Sequence, residues 1–249
     1  IIQVEMKNII ALFAILTALQ ATAQNYVTAG SIEYEVKTNV HAQNEGNEWF
    51  DRVKDQIPKF SVNYYILLFD NNISLYKFER RGDAKRGFWG MSEEENVWYN
   101  DYNNKTFATL MTLEGYLSFN GEQRKIEWKL FPNDQREIAG FNCRKAQAVL
   151  FDSVYVFAYY TDEIAISGGP MNLNGLPGAI LGVTVPRLHT SWMATGVKLE
   201  NPAASALKPP TKGKKKTQEE VKTDLSSLAK SWGSDSKKWI EQMYWRTFL

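Results

Sequence analysis

Phe60-Ser61-Val62-Asn63-Tyr64-Tyr65-Ile66-Leu67-Leu68-Phe69-Asp70-Asn71-Asn72-Ile73-Ser74-Leu75-Tyr76-Lys77-Phe78 is the stretch on which the fold is decided. Two short runs of aromatic and branched residues, 60–69 and 73–78, flank Asp70-Asn71-Asn72, and these turn residues tolerate the positive φ that a tight hairpin demands. The pattern recurs on both sides. Residues 31–40 precede it, and 97–102, 106–113, 125–131, 141–151, 154–160, 179–185 and 190–199 follow, with further turn signals at Asn103-Asn104 and Asn120-Gly121. Strands this closely spaced predict an antiparallel meander, because a parallel pair needs a crossover of about a dozen residues. Residues 48–56, with Trp49, Phe50 and Val53 on one side, predict a helix that covers one sheet face. One helix over so many strands leaves a face bare unless the sheet curls. The expected fold is therefore mainly β: a curved antiparallel sheet or partial barrel with one covering helix, and a concave face that offers a pocket.

Composition narrows the chemistry. The 249 residues include one Cys and two His and carry a formal net charge of +1. A disulfide framework, a thiolate zinc cage and a His-based metal centre are not expected, nor is a cofactor. Near-neutral charge argues against nucleic acid as a partner. The neutrality is an average of two parts. Residues 24–200 hold 18 Lys/Arg against 22 Asp/Glu, whereas 201–249 hold ten against five.

The start of the chain reads as a targeting signal. Met6-Lys7-Asn8 gives a basic start, 9–19 an apolar run, and Ala21-Thr22-Ala23 a small-x-small cleavage site. The run is about half the ~20 residues a membrane-spanning helix needs, so a secretory signal peptide over 1–23 is expected. Residues 1–5 read as an extension upstream of a start at Met6. The expected location is the periplasm or cell envelope, without an N-terminal lipidated cysteine.

Residues 201–216 contain Pro202, Pro209, Pro210 and the run Lys214-Lys215-Lys216, and predict a basic linker. The lysines are read as a solvated linker or, more sharply, as a weak contact with an anionic membrane surface. Thr217-Gln218-Glu219-Glu220 is a capping box. Val221, Leu225, Leu228 and Trp232 follow at helical spacing up to Gly233, and a second helix is expected over 236–246 with Trp239, Ile240 and Met243 as its apolar side. Together 217–249 predict a helical hairpin.

The most specific stretch runs from 141 to 185. Phe141-Asn142-Cys143-Arg144-Lys145-Ala146 is followed by Ala158-Tyr159-Tyr160-Thr161-Asp162-Glu163-Ile164, Gly168-Gly169-Pro170 and Gly175-Leu176-Pro177-Gly178-Ala179-Ile180-Leu181. The series resembles the GLPGLI family of secreted proteins from Bacteroidota-type bacteria, which have no established activity. The resemblance is close over about forty-five residues and looser in the signal peptide, the 64–76 hairpin and the basic C-terminal extension. Ala179 stands where the family has a second leucine.

Read physically, Pro177 fixes φ near −65° and Gly178 supplies the positive φ of a type II turn, while Gly175 allows a close approach to a neighbour. Gly169 and Pro170 bracket the same segment, so 171–174 should be a rigid, sharply bent connection. Two readings remain open: a structural corner, or a binding rim in which Met171 and Leu176 are exposed to a ligand or partner. Cys143 sits mid-strand, on one face with Phe141 and Lys145, and reads as a buried thiol; a nucleophilic role would need a base, and His41 and His189 are distant in sequence. His189 falls in what reads as an exposed turn and His41 at a strand end. Arg80-Arg81-Gly82-Asp83 opens a long loop whose basic half faces Glu93-Glu94-Glu95, and predicts a self-paired polar turn rather than an adhesion signal.

Two functions of different class follow. One is a non-catalytic envelope protein that binds an apolar ligand or a partner protein on a curved sheet in which aromatic residues are plentiful. The other is a hydrolase using Cys143 or a carboxylate pair, of which no member is marked in the sequence.

Overall fold

The computed structural model describes residues 27–82, 93–112, 115–231 and 237–249. The signal-peptide reading, residues 83–92 of the Arg-Gly-Asp loop and Trp232 and Gly233 lie outside the described residues. One twelve-stranded curved sheet dominates. Its strands are β1 (Ala29–Asn39), β2 (Phe60–Asp70), β3 (Ile73–Arg81), β4 (Val97–Asp101), β5 (Thr106–Thr112), β6 (Tyr116–Glu122), β7 (Lys129–Ile138), β8 (Phe141–Leu150), β9 (Val154–Thr161), β10 (Ala179–Val185), β11 (Thr190–Lys198) and β12 (Lys214–Lys216). The spatial order is β12-β6-β5-β4-β3-β2-β1-β11-β10-β9-β8-β7. Two meanders, β1–β6 and β7–β11, thus join through the antiparallel pair β1 and β11.

The tight turns do what their residues allow. Asn71 and Asn72 take φ 47° and 62° between the paired ends Asp70 and Ile73, and Ala139-Gly140 does the same with φ 51° and 85° between Ile138 and Phe141. Asn120-Gly121 is not a turn: both residues pair within β6, opposite Ala108 and Phe107, so the hairpin signal is overridden by cross-strand pairing. The strand expected at 125–131 begins instead at Lys129 and runs to Ile138. Pro132, which has no N–H for the ladder, lies in a three-residue break in register between Phe131 and Gln135.

The register sorts side chains by face. Ile32, Tyr34, Tyr65, Leu67, Phe69, Tyr76 and Trp98 share the inner face on β1–β4, with Tyr65 stacked on Tyr76 at 5.1 Å between ring centroids. Across the curve, β8, β9 and β11 offer small residues to the same core: Ala146, Ala148, Ala158 and Ala194. Large rings on one side and alanines on the other leave room for a third layer, and the β9–β10 connection fills it.

The helices are α1 (Val40–Gln43), α2 (Glu48–Val53), α3 (Gln218–Ser231) and α4 (Lys237–Phe248). The helix expected over 48–56 is shorter than its sequence pattern suggests. It ends at Val53, continues as a 3-10 turn to Gln56, buries Phe50 and leaves Trp49 exposed. It lies in the β1–β2 connection, where Gln43 and Glu45 offer carbonyls to Gln242 and Lys238 of α4, so this segment meets the C-terminal helix. The hairpin α3–α4 packs on the sheet: Val221, Leu225, Ile240 and Phe248 form a cluster with Phe107, Met111, Leu117 and Phe119. Its capping box is formed, with Glu220 N donating to Thr217 Oγ1 at 3.2 Å and Thr217 N to Glu220 Oε2 at 2.6 Å.

The expected linker is a strap. Between β11 and β12 the chain crosses to the far side of β1–β6, and its last residues pair with the sheet edge, Lys214–Lys216 running parallel to Leu117–Phe119. This is the one parallel pair among the named strands, reached by a long crossing as parallel pairing requires. Lys212 lies 3.4 Å from the Tyr116 ring centroid and pairs with Glu95, and Lys216 pairs with Asp224 of α3. Local composition alone announced a solvated linker, because a strand held by backbone pairing at an edge needs no apolar side chains. No helix among the described residues is long and apolar enough to cross a membrane.

Candidate functional site

Apart from Cys143, which lies in β8, the candidate motif residues of the sequence lie in the β9–β10 connection. Ile164, Ile166, Met171, Leu173 and Leu176 are all buried in the main core, inside the curve of the sheet. Burying five such side chains contributes on the order of 10 kcal/mol gross, before the cost of ordering the chain. The expected pocket on the concave face is therefore occupied by the protein's own segment, a plug. Met171 and Leu176, considered as an exposed rim, are buried; the exposed residues of the motif are Gly175 and Pro177.

Backbone and side-chain bonds fix the plug. Gly169 N donates to Leu173 O at 3.1 Å, Gly175 N to Ser167 O at 3.0 Å and Ile180 N to Gly168 O at 2.9 Å. Asn100 Nδ2 donates to Met171 O at 2.8 Å, Trp128 Nε1 to Asn174 O at 2.8 Å and Tyr34 Oη to Ile180 O at 2.6 Å. Met171 has φ 56°, an unfavourable value for a side chain of its size, and its burial and capped carbonyl hold it there. The paired glycines make the close packing feasible. A Cβ on Gly168 would stand 1.9 Å from Tyr102 Oη, and one on Gly169 2.6 Å from Ile180 Cβ.

The Pro177-Gly178 corner differs from the expected type II turn. Gly178 keeps a positive φ of 137°, but its own N–H closes a tighter loop onto Leu176 O at 2.9 Å, while Ala179 N donates to Ile164 O at 3.1 Å. Gly175 and Gly178 also exchange the reasons expected for them. A Cβ on Gly175 would meet only an ordinary 3.7 Å contact with Trp128, so its φ of 87° is what selects glycine; at Gly178 a Cβ would fall 1.9 Å from Thr161 O.

Cys143 is fully buried, its Sγ 3.6 Å from Phe141 O. Burial first, and the nearby Glu163 charge second, push its thiol up to about 12, against the Ile138 backbone bond. Such a thiol stays protonated at neutral pH and is a poor nucleophile. His41 lies in α1, not at a strand end, bonded through Nε2 to Ile57 O at 2.8 Å with its ring edge-on to Phe50. His189 is half-buried with φ 49°, and its carbonyl accepts from Asn39 N at 2.9 Å. Among the described residues no group of three or more His, Cys, Asp or Glu could hold a metal ion. Arg81 pairs with Glu94 across the base of the Arg-Gly-Asp loop.

Sequence reasoning did not find the outer surface of β7–β9. Val149 and Tyr155 are directly opposed, and Gln147 pairs with both Lys129 and Phe157 on the same face. Tyr155 is 49% exposed and Val149 46%, two of the six large apolar residues exposed among the described residues. Tyr155 stacks on Phe157, and Lys145 lies 5.8 Å from the centroids of both Phe131 and Phe157. The alternation in 154–160 could have placed Tyr155 outward, but only the sheet order brings β7 to the edge beside it.

Fold and site together define a class: an open, curved, mainly antiparallel sheet whose interior is closed by its own β9–β10 connection. Compared with known proteins, the sequence matches no family profile and no curated sequence. Among solved structures it is similar to PNGF-II in two crystal forms. For the P21 form the TM-score is 0.53 at 17% identity, over 79% of this chain and 32% of that one; for the C2 form it is 0.53 at 18%, over 78% and 32%. The chain thus spans about a third of the length of PNGF-II, and the likeness is one of fold. An uncharacterised conserved protein from Thermus thermophilus aligns with TM-score 0.41 at 9% identity, over 82% of this chain and 99% of that one.

Proposed function

We propose that this chain is an exported, non-catalytic binding protein of the cell envelope, as its resemblance to GLPGLI proteins implies, and that it meets a partner protein with the outer face of β7–β9. The observation that carries this reading is the occupied interior. An apolar ligand inside the curve would have to displace five buried side chains, whereas Val149, Tyr155 and Phe157 already stand on the surface without rearrangement. Aromatic and aliphatic side chains bordered by Lys129 and Lys145 suit a protein interface, which buries the rings and leaves the charged heads at the rim. The hydrolase alternative has little support, since Cys143 is buried with a raised thiol pKa.

The test is a double substitution, Val149→Ser with Tyr155→Ser, followed by native mass spectrometry of material purified from its own envelope. The expected result is loss of a co-purifying protein at an unchanged Tm, because both side chains are exposed. Retention of the partner by the double variant, or a lipid bound in place of a protein, would refute the outer-face reading.

A further inference from the structure

A cavity of about 50 Å³ lies where the tip of the plug, the ends of β5 and β6 and the last turn of α4 meet. Phe107, Leu150 and Phe248 give it apolar walls, and Gln123 and Asn172 bring amides to it. Asn172 Oδ1 is buried and has no hydrogen-bond partner among the described residues. A buried acceptor left in that state is costly, and such groups are usually met by ordered water.

The surrounding bonds show which polar groups face the cavity. Gln123 Nε2 donates one proton to Asn100 Oδ1 at 3.1 Å and has a second to give. Asn100, wholly buried, passes the chain on through Nδ2 to Met171 O at 2.8 Å. The next residue after Met171 is Asn172, which returns to the cavity that Gln123 also lines. The series Gln123, Asn100, Met171, Asn172 thus begins and ends at residues that line the same cavity.

We propose that this cavity is a binding site for one or two ordered waters, which join the two ends of that series by donating to Asn172 Oδ1 and accepting from the Gln123 amide. The ligand must be able to do both. A cation would answer Asn172 Oδ1 but would face the Arg124 guanidinium on the same wall, and an anion would be repelled by Oδ1 and by Glu122. Water meets both requirements, and the volume suits it, since one water needs roughly 10–15 Å³ of such space and occupies about 30 Å³ in the liquid. The waters would tie the plug tip to the sheet in a cooperative network, independently of what the outer face binds.

A high-resolution crystal structure of the full chain tests the occupancy, and Asn172→Leu tests its consequence. The expected results are water oxygen within hydrogen-bond distance of Asn172 Oδ1, and in the variant a Tm lowered by roughly 2–4 °C with faster exchange of the Asn100 side-chain amide protons. If the cavity were dry, leucine would remove an unpaired acceptor and leave Tm unchanged or raised. Either that result, or an empty cavity in the wild-type crystal, overturns the proposal.

Discussion

At Gly178 two independent constraints select glycine, and they can be separated. Its φ of 137° alone would strain any side chain, and a Cβ would also lie 1.9 Å from Thr161 O and 2.6 Å from Thr161 C, backbone atoms that cannot move aside. Gly140 has φ 85° with nothing within 4 Å of its Cβ position. Gly140→Ala should therefore cost about 1 kcal/mol from conformation alone, and Gly178→Ala about 3 kcal/mol or more in urea unfolding. Equal costs would mean that the contact with Thr161 does not exist. The positive φ at Gly178 was legible from Pro-Gly itself. The bond that closes the corner was not, because Ala179 N is taken by Ile164 O, a partner fifteen residues away that no local pattern announces. Cys143 reads as a buried thiol in the sequence, yet alternation puts it on the face of Lys145, Gln147 and Val149, so tertiary packing is what buries it, and that burial has a pH consequence. A thiol raised from 9.0 to about 12 keeps its proton in the folded chain while the unfolded chain loses it, so its stabilising contribution is complete below pH 9 and is lost as pH rises toward 12. Tyr34 and Tyr102, raised chiefly by burial, act in the same direction from their ordinary 10.0 upward. Tm should fall above pH 9, and Cys143→Ala should flatten the first part of that fall; a wild-type Tm that rises with pH there would contradict the burial of the thiol.

Both edges of the sheet are guarded, by different elements. β7 has its ladder interrupted by Pro132-Asn133-Asp134 and carries Lys129, Arg136 and Glu137, while β12 is three lysines long. Short, charged or bulged edges resist pairing with other chains. Local patterns found most strands because alternation and turn chemistry agree there. They failed at β12 and at the start of β7, where tertiary pairing, not side-chain periodicity, makes the strand. The strap's final bend depends on Gly213, with φ 99° and a Cβ position 3.2 Å from Leu110 Cδ1, Leu117 C and Tyr116 C. Gly213→Ala should lift β12 from β6, and limited trypsin digestion should then cut at Lys214–Lys216 several-fold faster than in wild type. An unchanged cleavage rate would mean that the strap is held without that bend.

For the whole molecule, the curved sheet and its meander order follow from the spacing of short strands, but the occupied interior does not. The plug reads in sequence as a glycine-rich loop, since Ile164, Ile166, Met171, Leu173 and Leu176 follow neither helical nor strand spacing throughout. It is the curvature of the sheet, with alanines on β8, β9 and β11 facing rings on β1–β4, that turns those residues inward. The account rests on that plug being part of the core, and native-state hydrogen exchange of the full chain tests it most directly. The amides of Gly169, Leu173, Gly175 and Ile180, each bonded within the plug, should exchange as slowly as those of the central strands, near the rate set by global unfolding. Exchange of these amides at loop-like rates, with the strands still protected, would show a plug that opens freely and an interior available to a ligand.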